Sequence, residues 1–187
     1  MGRWIALAIA LFSAAAAAQA PNSVLLVAKP ELADPNFHET VVLVTQAPDA
    51  STVGVILNRP TVRKHEKTGE TVYSGGPVMR GIFVVLFRWE RELPAAFPVM
   101  KDVYLSMHPD NLARVLEAGA RRRVYEGFSG WIPNQLQSEL QRDAWYVLPA
   151  SEDIVFREDT AGLWRELLEK ARGARTERNA TRVAMPR

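Results

Sequence analysis

The chain has 187 residues, enough for one domain of ordinary size with a real core. Its 48% hydrophobic and 24% charged residues exclude disorder as the main state, and the absence of cysteine excludes disulfides, thiol catalysis and thiolate metal sites while leaving the redox compartment open. The formal charge of +2 is unevenly spread: Lys170, Arg172, Arg175, Arg178, Arg182 and Arg187 oppose Glu177 alone in the last 18 residues, so the body is net acidic.

Arg3 precedes an apolar run, Trp4 to Ala18, that ends in small residues. Charge, length and ending are those of a secretory signal peptide. The run is shorter than the roughly 20 residues that span a bilayer, which argues against a permanent membrane span. Ala18-Gln19-Ala20 has the form of a cleavage site but would leave Pro21 first; Ala16-Ala17-Ala18 would leave Gln19 first. The expectation is an exported, periplasmic protein with residues 1–20 as signal peptide, 21–172 as the domain and 173–187 as a basic, disordered tail.

In chain order, Ser23 to Lys29 is an apolar run of strand length. Asp34-Pro35 reads as a helix cap and first residue, giving one turn through Phe37. Thr40 to Thr45 and Val53 to Leu57 are β-branched strands whose short link makes an antiparallel hairpin. The charged stretch Thr61 to Thr71 reads as an exposed loop, and Ser74 to Val78 as a turn into the strand Ile82 to Phe87. Arg88 to Phe97 reads as loop, Asp102 to Met107 as strand, and Pro109 to Ala118 as a helix stopped by Gly119.

The stretch Val124 to Trp145 is the densest in signals. Val124 and Tyr125 read as a strand end, Gly127 and Gly130 bracket a close backbone approach, and Pro133 suits a first helical turn. Leu136 and Leu140 share one helix face, and Gln135 and Glu139 form a polar pair at the same spacing. Trp131 then stands at a strand-to-helix corner, a place that serves either a binding cleft or a purely structural joint. A strand from Trp145 to Leu148, a helical turn over Ser151 to Phe156, and a last helix capped by Thr160 and running to about Ala171 complete the chain. Sheet first and helices later, with no room for crossovers among the early strands, predicts an α+β single domain with a largely antiparallel β-sheet flanked by helices.

Four segments in order, Leu25 to Val44, Gly54 to Pro60, Ser74 to Val78 and Gly127 to Ala150, together resemble the YqgE/AlgH family over nearly all of Val24 to Ala171. The resemblance implies a compact domain built on β-sheet with flanking helices, and little about chemistry; some members are called transcriptional regulators on genetic grounds. Its pattern falls here on Pro30, Asp34, Phe37, Asn58, Arg59, Pro60, Gly75, Gly76, Pro77, Gly127, Gly130, Trp131, Gln135, Leu136, Glu139 and Trp145. Two departures stand out: the charged segment between Pro60 and Gly75, where the family usually has a helix, and the export signal, which argues against a role in transcription.

Arg59 could offer a fork of donors to an anion, or pair with Asp34 or Glu139 in a buried turn. Gly75 and Gly76 lack the spacing and Lys of a phosphate loop. Trp131 stands where the second Gly of a hydrolase G-x-S-x-G elbow belongs. His38, His65 and His108 show no metal spacing and read as surface or capping residues. Trp131, Trp145, Tyr146 and Trp164 could stack on bases, but a net acidic body does not favour nucleic acid. The reading is a non-enzymatic domain, without cofactor or metal, that binds an unknown protein or small molecule near Asp34, Phe37, Asn58, Arg59, Gly75, Gly76, Gly127, Gly130, Trp131, Gln135, Glu139 and Trp145. The alternatives are a hydrolase using Ser129 or Glu139 and a regulator.

Overall fold

Short β-branched runs joined by tight turns build most of this chain. The computed structural model describes residues 23–184, with side chains through residue 176. The expected signal segment lies outside the described residues. Among the described residues ten strands and four helices follow in the order β1 (Val24–Ala28), β2 (Val41–Gln46), β3 (Thr52–Ile56), β4 (Pro60–Lys64), β5 (Thr71–Ser74), β6 (Val78–Arg88), β7 (Ala96–Met100), β8 (Val103–Ser106), α1 (Pro109–Glu117), β9 (Arg122–Trp131), α2 (Gln135–Gln141), β10 (Trp145–Pro149), α3 (Glu152–Val155) and α4 (Leu163–Ala184). The main path through the sheet is β10-β1-β2-β3-β9-β6-β8-β7, with the β4–β5 hairpin beside β9. Every pairing is antiparallel except β5 with β9. The architecture is the expected α+β single domain.

The sheet curls into a half-barrel. The long strand β9 carries the bend: its first half pairs with β5 and β6, its last three residues pair with β3, and Gly127 between them adopts φ +68°. Across the opening, Thr45 Oγ1 donates to the Pro98 carbonyl at 2.7 Å and Ser23 Oγ donates to that of Val99. Alternation along β1, β2 and β3 then sends side chains to opposite faces. Leu25, Val27, Leu43, Val55 and Leu57 point inward to a core closed by Leu163, Leu167 and Leu168 of α4. Leu26, Ala28, Val42, Val44 and Ile56 point outward beneath α2 and the segment that carries Phe37. A third cluster, Val85, Phe87, Leu93 and Val115, fastens α1 to the back of β6. Full burial of each such side chain contributes about 1.5–3 kcal/mol.

Five sequence expectations change. Thr61 to Thr71 is not a loop but most of the β4–β5 hairpin. Its charges lie along an exposed edge, where Arg63 pairs with Glu126 at 3.0 Å and Arg122 with Glu70 at 2.6 Å, so polarity marked one face rather than the absence of a strand. His65, at the turn, is buried against the Phe83 ring rather than on the surface. Within Arg88 to Phe97, β6 extends to Arg88 and β7 starts at Ala96. Pro133 precedes α2, whose N-cap is Asn134 in the left-handed region at φ +68°. Asp34 to Phe37, by contrast, keeps the expected single capped turn, with Asp34 Oδ1 accepting from the Asn36 N–H at 2.8 Å and the Asp34 carbonyl from the His38 N–H at 2.9 Å. Finally, α4 runs on to Ala184 where disorder was expected beyond Gly173. A glycine inside a helix costs about 1 kcal/mol relative to alanine, and the Ala, Arg and Glu residues around it are good helix formers.

Candidate functional site

Asn58 and Arg59 leave β3 and immediately grip the segment before β2. Asn58 Oδ1 accepts from the Val41 N–H at 2.9 Å, and its Nδ2 donates to the Glu39 carbonyl at 2.9 Å. Arg59 spreads its guanidinium over main-chain oxygens, those of Asn36 at 2.5 Å, His38 at 3.1 Å and Pro35 at 3.5 Å. The fork expected for an anion, or for the carboxylate of Asp34 or Glu139, is therefore occupied by carbonyls. Burial lowers the Arg59 pKa from its ordinary value and Asp34 opposes the shift.

That grip positions Phe37. Its ring stacks on Trp131 at 5.6 Å and 23°, and meets Trp145 edge-on at 5.5 Å. Trp131 ends β9 and Trp145 opens β10, with α2 between them supplying Glu139. Both indoles donate to Glu139 Oε2, at 3.0 Å from Trp131 and 2.9 Å from Trp145, while Gln135 Nε2 lies 3.3 Å from Oε1. The i, i+4 pair read from the sequence is real, and its purpose is to bring a charged acceptor to two buried donors. Trp131 is 2% exposed and Trp145 4%, so the cluster is closed.

The glycines meet nearby on the inner side of the bend. The Gly75 N–H donates to the Glu126 carbonyl at 2.9 Å, and its carbonyl accepts from the Ile56 N–H and from Ser129 Oγ, each at 3.0 Å. A Cβ on Gly75 would lie 2.2 Å from the Gly127 carbonyl oxygen, so the link from β5 to β6 crosses β9 at a distance only glycine permits. Gly76 passes beside Phe128, and Gly130 lies against the Phe128 ring. Ser129 is fully buried in this crossing.

The open space is elsewhere. A cleft of about 540 Å³ lies between the start of the β4–β5 hairpin and the turn into α4; Glu39, Asn58, Tyr73, Glu158, Thr160 and Trp164 are among its lining residues. Asn58 is the joint between the two regions, lining the cleft while its amide holds Glu39. Of the candidates read from the sequence, only Asn58 lines this cleft; Asp34, Phe37, Arg59, Trp131, Gln135, Glu139 and Trp145 are gathered around the outer-face cluster, and the glycines at the strand crossing. Sequence reasoning missed Glu39, Tyr73, Glu158 and Trp164 as a group because no spacing links them. Trp164 carried one local signal, an indole N–H inside an apolar stripe, and it donates to the Ala28 carbonyl at 2.7 Å.

A neighbouring hollow of about 610 Å³ lies beyond Tyr73 and is rich in arginine, but its cations are committed. Arg121 pairs with Glu152 at 3.0 Å, Arg122 with Glu70, and Arg157 with Glu166 at 2.5 Å. Arg123 donates to the carbonyls of Val155 and Arg157 and lies 4.6 Å over the Tyr73 ring. Beneath it Tyr125 is wholly buried, its hydroxyl makes no well-formed hydrogen bond among the described residues, and burial pushes its pKa up to about 12, with the nearby Arg123 guanidinium opposing. Among the described residues no group of three or more His, Asp or Glu could hold a metal ion, and no helix is long and apolar enough to cross a membrane.

Comparison with known proteins places this geometry in context. The domain family described as AlgH-like matches residues 25–175. A UPF0301 protein of Thermobifida fusca (strain YX) is 36% identical over 170 residues, covering 80% of this chain and 86% of that protein. The solution structure of the AlgH protein from Pseudomonas aeruginosa is similar at a TM-score of 0.59 and 26% identity, over 72% of this chain and 79% of that one. The crystal structure of protein DIP2367 from Corynebacterium diphtheriae shares the fold at a TM-score of 0.65 and 21% identity, over 81% of this chain and 86% of that one.

Proposed function

The chain belongs to the AlgH-like family, and from that premise we propose that it is an exported, non-enzymatic domain that binds a partner or small ligand at the cleft beside Asn58. One observation carries the reading. The two groups best suited to hydrolysis are already committed, since buried Ser129 donates to the Gly75 carbonyl and Glu139 accepts from two indoles. A nucleophile needs a base within hydrogen-bond reach, and Ser129 instead faces a carbonyl. The cleft, by contrast, is within the size range of ligand sites and presents polar groups against aromatic walls. Export rests on Arg3 and the apolar run to Ala18.

Cell fractionation with intact-mass measurement tests the export claim. A periplasmic product beginning at Gln19 or Pro21 supports it. A full-length cytoplasmic product overturns it, and salt-sensitive DNA binding by that product would put a regulator in its place. Turnover of an ester, peptide or phosphate substrate, lost in Ser129→Ala or Glu139→Gln, would overturn the non-enzymatic reading.

A further inference from the structure

Around the cleft stand three carboxylates, of Glu39, Glu158 and Asp159, and one guanidinium, of Arg165. The opening is therefore net anionic. Arg157, the next cation along the chain, is bound to Glu166. Asp159 Oδ1 accepts from the Ala161 N–H at 2.9 Å, and among the described residues the Glu39 carboxylate has only the His38 ring at 3.9 Å. The Glu158 carboxylate has no hydrogen-bond or ion-pair partner among the described residues. Glu39 is itself held at φ +53°, a left-handed conformation unusual for a non-glycine residue, by the bond from Asn58 Nδ2 to its carbonyl. Such local strain concentrates at binding sites.

Independent of the acids is Thr160. It is 6% exposed, its hydroxyl has no hydrogen-bond partner among the described residues, and it lines the cleft. That hydroxyl carries no bond of its own and is free to bond a group that enters the cleft. The walls beside it are aromatic, Tyr73 and Trp164, the latter fixed by its bond to the Ala28 carbonyl. The Tyr73 ring already carries one cation, Arg123, at 4.6 Å, which shows the attraction such a face exerts. The carboxylates do not converge into a group that could hold a metal. The cation that fits is an extended organic one.

Resting on the reading of this cleft as the binding site, we propose that it takes an alkylammonium group, with the ammonium at the Glu39, Glu158 and Asp159 rim and the Thr160 hydroxyl, and the methylenes between Tyr73 and Trp164. A free diamine and a lysine side chain in a peptide present the same chemistry. The test is calorimetry on the purified protein with 1,5-diaminopentane and with a terminally blocked Gly-Lys-Gly peptide, against 1,5-pentanediol and glutarate as neutral and anionic counterparts. The expected result is binding of a cationic probe that weakens as salt rises. Loss of a hydrogen bond to a charged group predicts about tenfold weaker binding in Glu158→Gln, a surface change that leaves the melting temperature in place. Thr160→Val should weaken it as well, with the melt reporting whether the fold survives. Preference for the diamine identifies a free amine, and preference for the peptide a lysine side chain. Equal binding of the diol, or tighter binding of glutarate, overturns the cation while leaving the cleft as a binding site. No binding of any probe overturns the cation class; if Tyr73→Ala and Trp164→Ala also left every measured partner interaction intact, the cleft reading would fall too.

Discussion

Replacing Glu139 by alanine isolates the role of a single carboxylate. In the native fold its Oε2 atom accepts from both Trp131 and Trp145, residues that are 2% and 4% exposed. Truncation leaves two indole N–H groups without an acceptor and with little access to water. An unsatisfied buried donor costs about 1–3 kcal/mol, so the pair predicts a loss of about 2–6 kcal/mol. Against the roughly 5–15 kcal/mol by which domains are stable, that is a large fraction. Glutamine keeps one oxygen with two lone pairs and can still serve both donors, so Glu139→Gln should lose only the charge assistance, about 1–2 kcal/mol. The assay is urea unfolding followed by tryptophan fluorescence and far-ultraviolet circular dichroism, with the two transitions coincident. If Glu139→Ala unfolds within 1 kcal/mol of the parent, the carboxylate is not the structural acceptor described above, and a chemical role for it returns.

Arg59→Lys replaces a fork over three main-chain carbonyls by a single ammonium; the expected loss is about 1–2 kcal/mol, accompanied by a changed near-ultraviolet signal as Phe37 loosens from Trp131. Gly75→Ala puts a methyl 2.2 Å from the Gly127 oxygen, and the strand crossing has no room to yield, so the variant should unfold at a clearly lower urea midpoint or fail to accumulate in soluble form. Tyr125 separates two effects by pH. Its hydroxyl ionises near 10.0 when free and about 12 in the fold, so the folded state holds the proton more tightly. The corresponding stability is fully present below pH 10 and is lost as pH rises towards 12, an alkaline drop of about 3 kcal/mol at 1.36 kcal/mol per unit. Tyr125→Phe should remove most of that drop while changing neutral-pH stability little, because the hydroxyl has no well-formed hydrogen bond to lose. Urea midpoints at pH 8 and pH 11.5, by which about 2 kcal/mol of the drop has occurred, measure both.

Much of the fold was legible locally. The β-branched runs of β1, β2 and β3 and the short links between them dictated antiparallel neighbours, and the i, i+4 spacing of Gln135 and Glu139 correctly put both side chains on one edge of α2. The corner at Trp131 was likewise visible. What failed was any element whose identity depends on a partner: β4, β5 and β7 carry charge, proline or too few apolar residues to announce themselves, and they form because neighbouring strands present an edge to pair with. Turn chemistry and side-chain period are properties of a few adjacent residues, whereas pairing is a property of the assembled sheet.

The candidate site divides along the same line. Sequence by itself determined the family resemblance, the α+β class and the residues Asn58, Arg59, Trp131 and Glu139 as places where polar chemistry interrupts an apolar pattern. Only the tertiary structure decided what those groups do: Arg59 faces carbonyls, Glu139 faces two indoles, and Ser129 is sealed in a strand crossing. It also decided where space remains, because the curl of the sheet carries Glu39, Asn58 and Tyr73 to the turn that holds Glu158, Thr160 and Trp164. Those residues come from opposite ends of the domain. No local rule links them, since their proximity is fixed by strand register and closure of the half-barrel rather than by any spacing along the chain.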